Sequence, residues 1–544
     1  MKKGGDEDAD SRKCAAIAAS WFVVTMPAMS APPNPSAATL ATPAKAGIAW
    51  PGQLAAIDMG SNSFRLEIGQ LHQGRYRRVD YLKETVRLGA GLDDQAMLTE
   101  EAVLRGLACL ARFATRLKGY ERWQVRAVAT QTLREARNRN AFLARAQSVL
   151  GFPIEVISGR EEARLIFAGV ARLQPSDLPR LVIDIGGRST EMILGRGRVP
   201  LRAESFQVGS VSLSLKYFGD GCFTEAAFRS AQVAAGAELE EALVPFAAGQ
   251  WKEALGSSGS VGAVSQLLSA SGVTDGRITP DALRWLMQQC LRAGRVDKLS
   301  LPGLKEDRRA VIAGGLSILY TVAMHFGIDE LKPARGALRQ GVIFDLDERL
   351  EAATDRPAGH DIRDVSVREL QRRFMADVPQ AGRVSELARE LHRQAQPSAS
   401  LDAQLELQWA CALHEVGMMV SHHDHHRHSA YILANVDAAG FSQSQQRQLG
   451  ELVLAQRGGL RKVESALASE SFAWQVLCLR LAIIKCHARA EVNTSALRLK
   501  RDGGQAQLTF TPAWAETHPR TLHLLREEAL AWERGGSLKL VLPR

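Results

Sequence analysis

Two carboxylates, each closing an apolar run and followed at once by a bend of small residues, are the side chains best placed for chemistry. The first is Asp58 in AAIDMGSNSFRLEIG (55–69), and the second is Asp184 in LVIDIGGRSTEMILG (181–195). The segments align without a gap and share Ile57/Ile183, Asp58/Asp184, Gly60/Gly186, Ser63/Ser189 and Gly69/Gly195. Each reads as a β-hairpin whose first strand ends in a carboxylate and whose turn is rich in backbone N–H groups. Gly60, Ser61, Asn62 and Ser63 in one turn, and Gly186, Gly187, Arg188 and Ser189 in the other, could cradle phosphate oxygens. The aspartates could hold a divalent cation beside them. Two such copies facing one another would clamp a phosphate chain from both sides.

Other residues invite the same chemistry. In Ser158-Gly-Arg-Glu161-Glu162 a strand passes into a helix, and Ser158 and Glu161 have the spacing of a capping box. Glu162 is left over, either to complement the helix dipole or to accept a proton from water as a general base. Glu191, on the return strand of the second hairpin, could join Asp58 and Asp184 around Mg²⁺, position a water, or lie on a solvated face. Arg65 follows the first turn and Arg134 ends Thr130-Gln-Thr-Leu-Arg134. Either could pair with phosphate in bidentate fashion or be an ordinary surface arginine. Ser258, Gly259 and Ser260 lie where a strand meets a helix, which suits an anion. His414-Glu415 and the cluster His422–His428 suggest a metal, but Met418 stands where His-Glu-x-x-His needs its second histidine. A polyanion contact or a packing role is the expectation there.

The elements that must hold these residues follow from periodicity. After the first hairpin come a strand at 76–83 and a helix at 99–118 capped by Thr99, with Leu104, Leu107, Leu110, Phe113 and Leu117 inward. A strand at 124–129, a helix at 139–150 and a strand at 153–157 complete the first round. The second hairpin opens another, with strands over 181–208, a helix at 224–247, a strand at 251–256, and helices at 261–272 and 306–327. A strand at 331–334 and a helix through 350 close it. This makes two similar α/β lobes, 51–165 and 166–350, with the site between them. A linker at 351–360, a helical domain over 351–500 and a small α+β cap at 501–544 follow.

The 544 residues are 46% hydrophobic and 23% charged, ordinary globular material with mass for several cores. The net charge of +9 favours a polyanionic partner or a membrane surface. Seven cysteines form no CxxC pair and sit in apolar segments, as reduced thiols do. The apolar run 14–29 follows Arg12-Lys13 as in a secretory signal, but Ser20 and Pro27 interrupt it. Residues 1–50 are instead expected to be a disordered Pro/Ala-rich extension. No run has the length to span a bilayer. The expected location is the cytoplasm, with loose membrane association at most.

In IDMGSNSFRL (57–66), TQTLREARN (130–138), ISGREEARLIF (157–167), VIDIGGRSTE (182–191), LPGLKEDRRA (301–310) and GALRQG (336–341) the chain resembles the exopolyphosphatase/guanosine pentaphosphate phosphohydrolase (Ppx/GppA) family. LHEVG (413–417) and HRHSAYIL (426–433) are similar to its long members, and the resemblance covers residues 52 to 544. It implies two actin/Hsp70/sugar-kinase-like (RNase H-like) lobes followed by a degenerate HD-like domain. It implies Mg²⁺-dependent removal of terminal phosphate from inorganic polyphosphate, or of the 5′ γ-phosphate from guanosine pentaphosphate, with no requirement for nucleic acid. It makes Glu162 the catalytic base and Glu191 a required carboxylate. The helical domain would extend a basic channel, hold no second metal and help build a homodimer.

Three positions depart from the family pattern. Arg188 replaces a glycine, at a cost of about 1–2 kcal/mol if that position needs positive φ. Gln340 replaces a glutamate, and Ser210 stands where cysteine is frequent. Arg188 makes a non-catalytic polyphosphate-binding regulator the alternative from another class.

Overall fold

The structure is a computed structural model that describes residues 52–72, 75–354 and 361–543. The expected N-terminal extension, and 355–360 of the expected linker, lie outside the described residues.

Two five-stranded sheets carry the first 350 residues. One contains β1 (Gln53–Met59), β2 (Phe64–His72), β3 (Arg75–Glu84), β4 (Val125–Ala129) and β5 (Ile154–Val156), in the order β3-β2-β1-β4-β5. The other contains β6 (Pro179–Ile185), β7 (Thr190–Arg196), β8 (Val199–Phe206), β9 (Glu253–Ser257) and β10 (Leu331–Pro333), in the order β10-β9-β6-β7-β8. Read from the hairpin edge these orders are the same, with an antiparallel meander followed by parallel strands. This duplicated topology is the actin/Hsp70/sugar-kinase-like architecture. Even the irregularities repeat. A β-bulge falls between Ile68 and Gly69 in one copy and between Leu194 and Gly195 in the other. Both glycines admit an aromatic ring: a Cβ would lie 2.4 Å from Tyr76 at Gly69 and 2.2 Å from Phe167 at Gly195.

Strand alternation sorts the core and aims the aspartates. Ala55, Ile57 and Met59 pack on one side of β1, and Leu54 and Ala56 on the other. In β6, Leu181, Ile183 and Ile185 face one way and Val182 the other. Leu54, Ala56, Val182, Ile193 and Leu255 share a core with Ile166, Phe167, Val170, Leu338, Val342 and Ile343. Two helices, Gly159–Leu173 and Leu338–Thr354, therefore form the layer between the sheets. Asp58 and Asp184 have the parity of Ala56 and Val182, so both carboxylates project to this shared side at the strand ends.

Several boundaries differ from the sequence reading. The expected lobe boundary at 165/166 falls inside the helix Gly159–Leu173. The last helix of the lobes runs on to Thr354, past the expected linker start. The helix expected at 224–247 stops at Glu238, where Glu240, Glu241 and Pro245 disfavour another turn. The helix expected at 306–327 is two, Glu306–Arg309 and Ile312–His325. A further helix, Pro280–Ala293, has Thr279 as N-cap and Pro280 at its first turn. Leu104 is exposed; Ala102, Val103 and Cys109 join the expected Leu110, Phe113 and Leu117 on the buried face.

Helices continue from Ile362 to Lys485 around a separate core. A three-stranded sheet follows, with β11 (Arg498–Asp502), β12 (Gln505–Thr509) and β13 (Lys539–Val541). Its first strand begins at Arg498, three residues before the expected start of the cap at 501. No helix among the described residues is long and apolar enough to cross a membrane.

Candidate active site

The hairpin turns meet in one cleft. Asp58, Gly60, Ser61, Asn62, Ser63, Arg65, Glu162, Asp184, Gly186, Gly187, Ser189, Ser258, Gly259 and Ser260 all line it. Register places Asp58 opposite Arg65 on the first hairpin and Asp184 opposite Glu191 on the second. The turns touch directly, since a Cβ at Gly187 would lie 3.2 Å from Ser61 Cβ and 3.7 Å from the Asn62 amide nitrogen. The Asn62 side-chain nitrogen and the Ser63 hydroxyl are buried without a hydrogen-bond partner. Unpaired buried polar groups of this kind are costly unless a ligand satisfies them.

A third turn closes the floor. The helix Ser258–Ala270 begins directly after β9, and Ser258 adopts φ +90°, a strained value for a residue with a Cβ. Its hydroxyl accepts from the amides of Ser260 and Val261. Ser260 Oγ donates to Ser210 Oγ, which in turn donates to the Gly186 carbonyl, both at about 3 Å. Ser210 thus braces the second turn against the third, a part that its hydroxyl can play.

Glu162 sits in the first turn of the helix Gly159–Leu173, whose N-cap Ser158 accepts from the Glu161 amide at 3.2 Å. Only this half of the capping box forms. The Glu161 carboxylate turns instead to Arg164 and to the Gly440 amide of the helical domain, at 2.9 Å. Glu162 faces the cleft and accepts from Arg134 Nη1 at 2.8 Å. Burial pushes its carboxyl up from the ordinary range, partly opposed by Arg134 and reinforced by the charges of Asp58 and Asp184. Burial also pushes Asp184 up to about 6, against the Ser257 hydroxyl and Arg65, which favour its charge.

Glu191, Arg134 and Arg188 stand behind the lining. Glu191 is 1% exposed and accepts from Ser205 Oγ at 2.8 Å. Burial, then the like charges of Glu162 and Asp184, hold its carboxyl well above the ordinary range. Arg134 is engaged by Gln131, the Ile157 carbonyl and Glu162. Arg188 is not in the left-handed region, so the backbone cost attached to a non-glycine residue there does not arise. Its guanidinium leaves the cleft for Glu135 in the first lobe.

Two cations of the cleft escaped the sequence reading. Arg339 reaches Asp58 Oδ2 at 3.5 Å and Glu67 Oε2 at 3.1 Å. Gln340 donates to the same buried Glu67 at 2.6 Å, which a second glutamate at 340 could not do without a proton. Arg308 packs on Gly259, where a Cβ would come within 2.2 Å of its Nη2. Its guanidinium has no ion pair among the described residues, the neighbouring Asp307 being paired with Lys83, and burial and Arg65 lower its proton affinity against the weaker pull of Asp307. A desolvated, unpaired arginine beside another is a site for an anion. Both lie in segments singled out for resemblance, 301–310 and 336–341.

No group of three or more His, Cys, Asp or Glu side chains among the described residues converges on a metal-sized point. Asp58 and Asp184 supply hard carboxylate oxygens from opposite lobes. This fits magnesium, which takes one or two carboxylates and completes its shell with water and substrate phosphates. In the helical domain, His414 Nδ1 lies 2.7 Å from the Cys411 carbonyl oxygen, and Glu415 pairs with Arg489. Burial lowers the proton affinity of His414, His425 and His426.

The model of the Ppx/GppA phosphatase family matches residues 68–350, and that of Ppx/GppA phosphatase domain III matches 362–529. A solved exopolyphosphatase-like protein is 25% identical, covering 55% of this chain and 99% of its own, with a TM-score of 0.51. An exopolyphosphatase from Cytophaga hutchinsonii is also 25% identical, covering 54% of this chain and 98% of its own, with a TM-score of 0.50.

Proposed function

Since the chain belongs to the Ppx/GppA phosphatase family, we propose that it is an exopolyphosphatase, a hydrolase of acid anhydrides that releases orthophosphate from the end of linear inorganic polyphosphate. One observation carries this reading. A buried carboxylate, Glu162, faces a cleft built from three N–H-rich turns and bounded by Arg65, Arg308 and Arg339.

The terminal phosphoryl group sits between the turns after Asp58 and Asp184, over Ser258–Ser260, with Arg65 and Arg308 against its oxygens. Arg134 holds Glu162 and so orients the base; it does not reach phosphate itself. Glu162 takes a proton from a water molecule as that oxygen attacks the terminal phosphorus. The bridging oxygen leaves with the shortened chain, and the new P–O bond yields orthophosphate. The work is positioning and electrostatic stabilisation of a spread negative charge. Asp58 and Asp184 would hold Mg²⁺, which when bound neutralises charge on the phosphoryl oxygens. Glu191, tied to Ser205, would support that arrangement from behind.

The test is phosphate release from long polyphosphate, tripolyphosphate, guanosine pentaphosphate and ATP, with and without Mg²⁺, on the natural chain and Glu162→Gln. Release from long polyphosphate should exceed release from ATP, and the variant should lose roughly 10²–10⁴-fold in kcat while still binding polyphosphate. Unchanged turnover in Glu162→Gln would remove the base assignment. Preference for guanosine pentaphosphate would move the substrate to the nucleotide, and binding without turnover would make the chain a polyphosphate-binding regulator.

A further inference from the structure

A chain of hydrogen bonds runs from the second phosphate turn, across the lobe boundary, to Glu162. Arg188 Nε donates to Glu135 Oε2 at 2.9 Å and Nη2 lies 2.6 Å from the same oxygen. Its Nη1 also reaches the Gly89 carbonyl of the first lobe, at 3.4 Å. The other oxygen of Glu135 accepts from Gln131 Nε2 at 2.6 Å. Gln131 Oε1 accepts from Arg134 Nε and Nη2 at 2.9 and 2.6 Å. Arg134 Nη1 then donates to Glu162 Oε2 at 2.8 Å.

The donors and acceptors permit one polarity. Arg134 offers only protons and needs an acceptor; ionised Glu135 offers only lone pairs and needs a donor. The Gln131 amide meets both with its oxygen toward Arg134 and its nitrogen toward Glu135. Turned over, it would set two donors against each other at Arg134 and two acceptors at Glu135. Arg188 in turn neutralises Glu135, which would otherwise stand one side chain away from Arg134 as a competing carboxylate.

We propose that Arg188 is a positioning residue: through Glu135 and Gln131 it keeps Arg134 on Glu162, so that the base is oriented only while the second turn is closed on the first lobe. This rests on the assignment of Glu162 as the base. It gives Arg188 a part in turnover without contact with phosphate.

The experiment compares kcat and KM for tripolyphosphate in Arg188→Met, Glu135→Gln and the double variant, with Glu162→Gln as the reference. The Arg188–Glu135 pair is about a quarter exposed, so the variants should fold with Tm close to that of the natural chain. Each single variant should lower kcat roughly three- to tenfold with KM changed less than about twofold. The double variant should be no worse than the poorer single one, as for groups acting in one unit. Natural kcat in Arg188→Met, or losses that multiply in the double variant, would overturn the proposal. So would a raised KM at unchanged kcat, which would make Arg188 a phosphate ligand. Amide exchange over Gln131–Glu135 is a readout independent of turnover; it should rise several-fold in Arg188→Met, and unchanged exchange would also overturn the proposal. Turnover retained in Glu162→Gln would instead remove the parent assignment, which an inactive Glu162→Gln with an unaffected Arg188→Met would leave standing.

Discussion

The two hairpins share topology, register, an aspartate and a bulge, and differ where it matters for charge. Opposite the aspartate, the first carries Arg65 and the second Glu191. Arg65 lines the cleft and bonds Asp58 at 3.3 Å. Glu191 is buried behind the cleft on Ser205, among carboxylates. A repeated backbone fixes where a side chain emerges, while its sign is free to diverge. One register position has thus given one lobe a counter-charge for anions and the other a carboxylate with a raised proton affinity.

The largest effect that separates the hairpins is kinetic. Glu191→Gln should lower kcat by roughly 10²-fold with little change in KM, whereas Arg65→Met should raise KM roughly tenfold and weaken the salt dependence of polyphosphate binding. Steady-state kinetics at two ionic strengths distinguish them, and equal effects on KM would erase the contrast. Next comes the shared bulge. Gly195→Ala should cost about 2–3 kcal/mol, because Phe167 is fully buried and cannot yield; Gly69→Ala should cost about 1 kcal/mol, because Tyr76 is half-buried near the sheet edge. Urea unfolding measures both, and the reverse order would break the argument. The smallest effect is on pH. Arg65 favours the charged form of Asp184, so Arg65→Met raises that group further above 6, and the acid limb of kcat/KM moves to higher pH by about half a unit. Glu191→Gln should move the limb less, since Arg65 and Asp58 are the charges acting most strongly on Asp184. A downward shift in Arg65→Met would contradict the electrostatics.

Much of this was legible in the sequence because it is local. The gapless repeat gave the hairpins and put Asp58 and Asp184 at matching strand ends. The helix-start motif separated Glu161 from Glu162. What escaped depends on distant approach. Arg308 and Arg339 enter the cleft from segments far along the chain; the motifs around them carry the family resemblance, but no local periodicity aims either side chain at the cleft. The Arg134 side chain was free to reach phosphate on paper; only the fold shows that Gln131, Ile157 and Glu162 have claimed it. Arg188 looked like a strained glycine replacement, yet its backbone is ordinary and its partner lies in the other lobe. The helix Pro280–Ala293, by contrast, had a readable start in Thr279-Pro280.

Glu161 has a consequence for modularity. Its carboxylate accepts the Gly440 amide, and Arg349 donates to the Gly440 carbonyl at 2.8 Å. A single residue of the helical domain is therefore held through both its N–H and its carbonyl by the lobes, next door to the residue assigned as base. The solved relatives match little more than half of this chain along nearly all of their own length. In this chain the added domain is not cargo on a finished enzyme. Severed from it, the lobes would keep Arg164 on Glu161 but lose the Gly440 amide from that buried carboxylate, which adjoins Glu162.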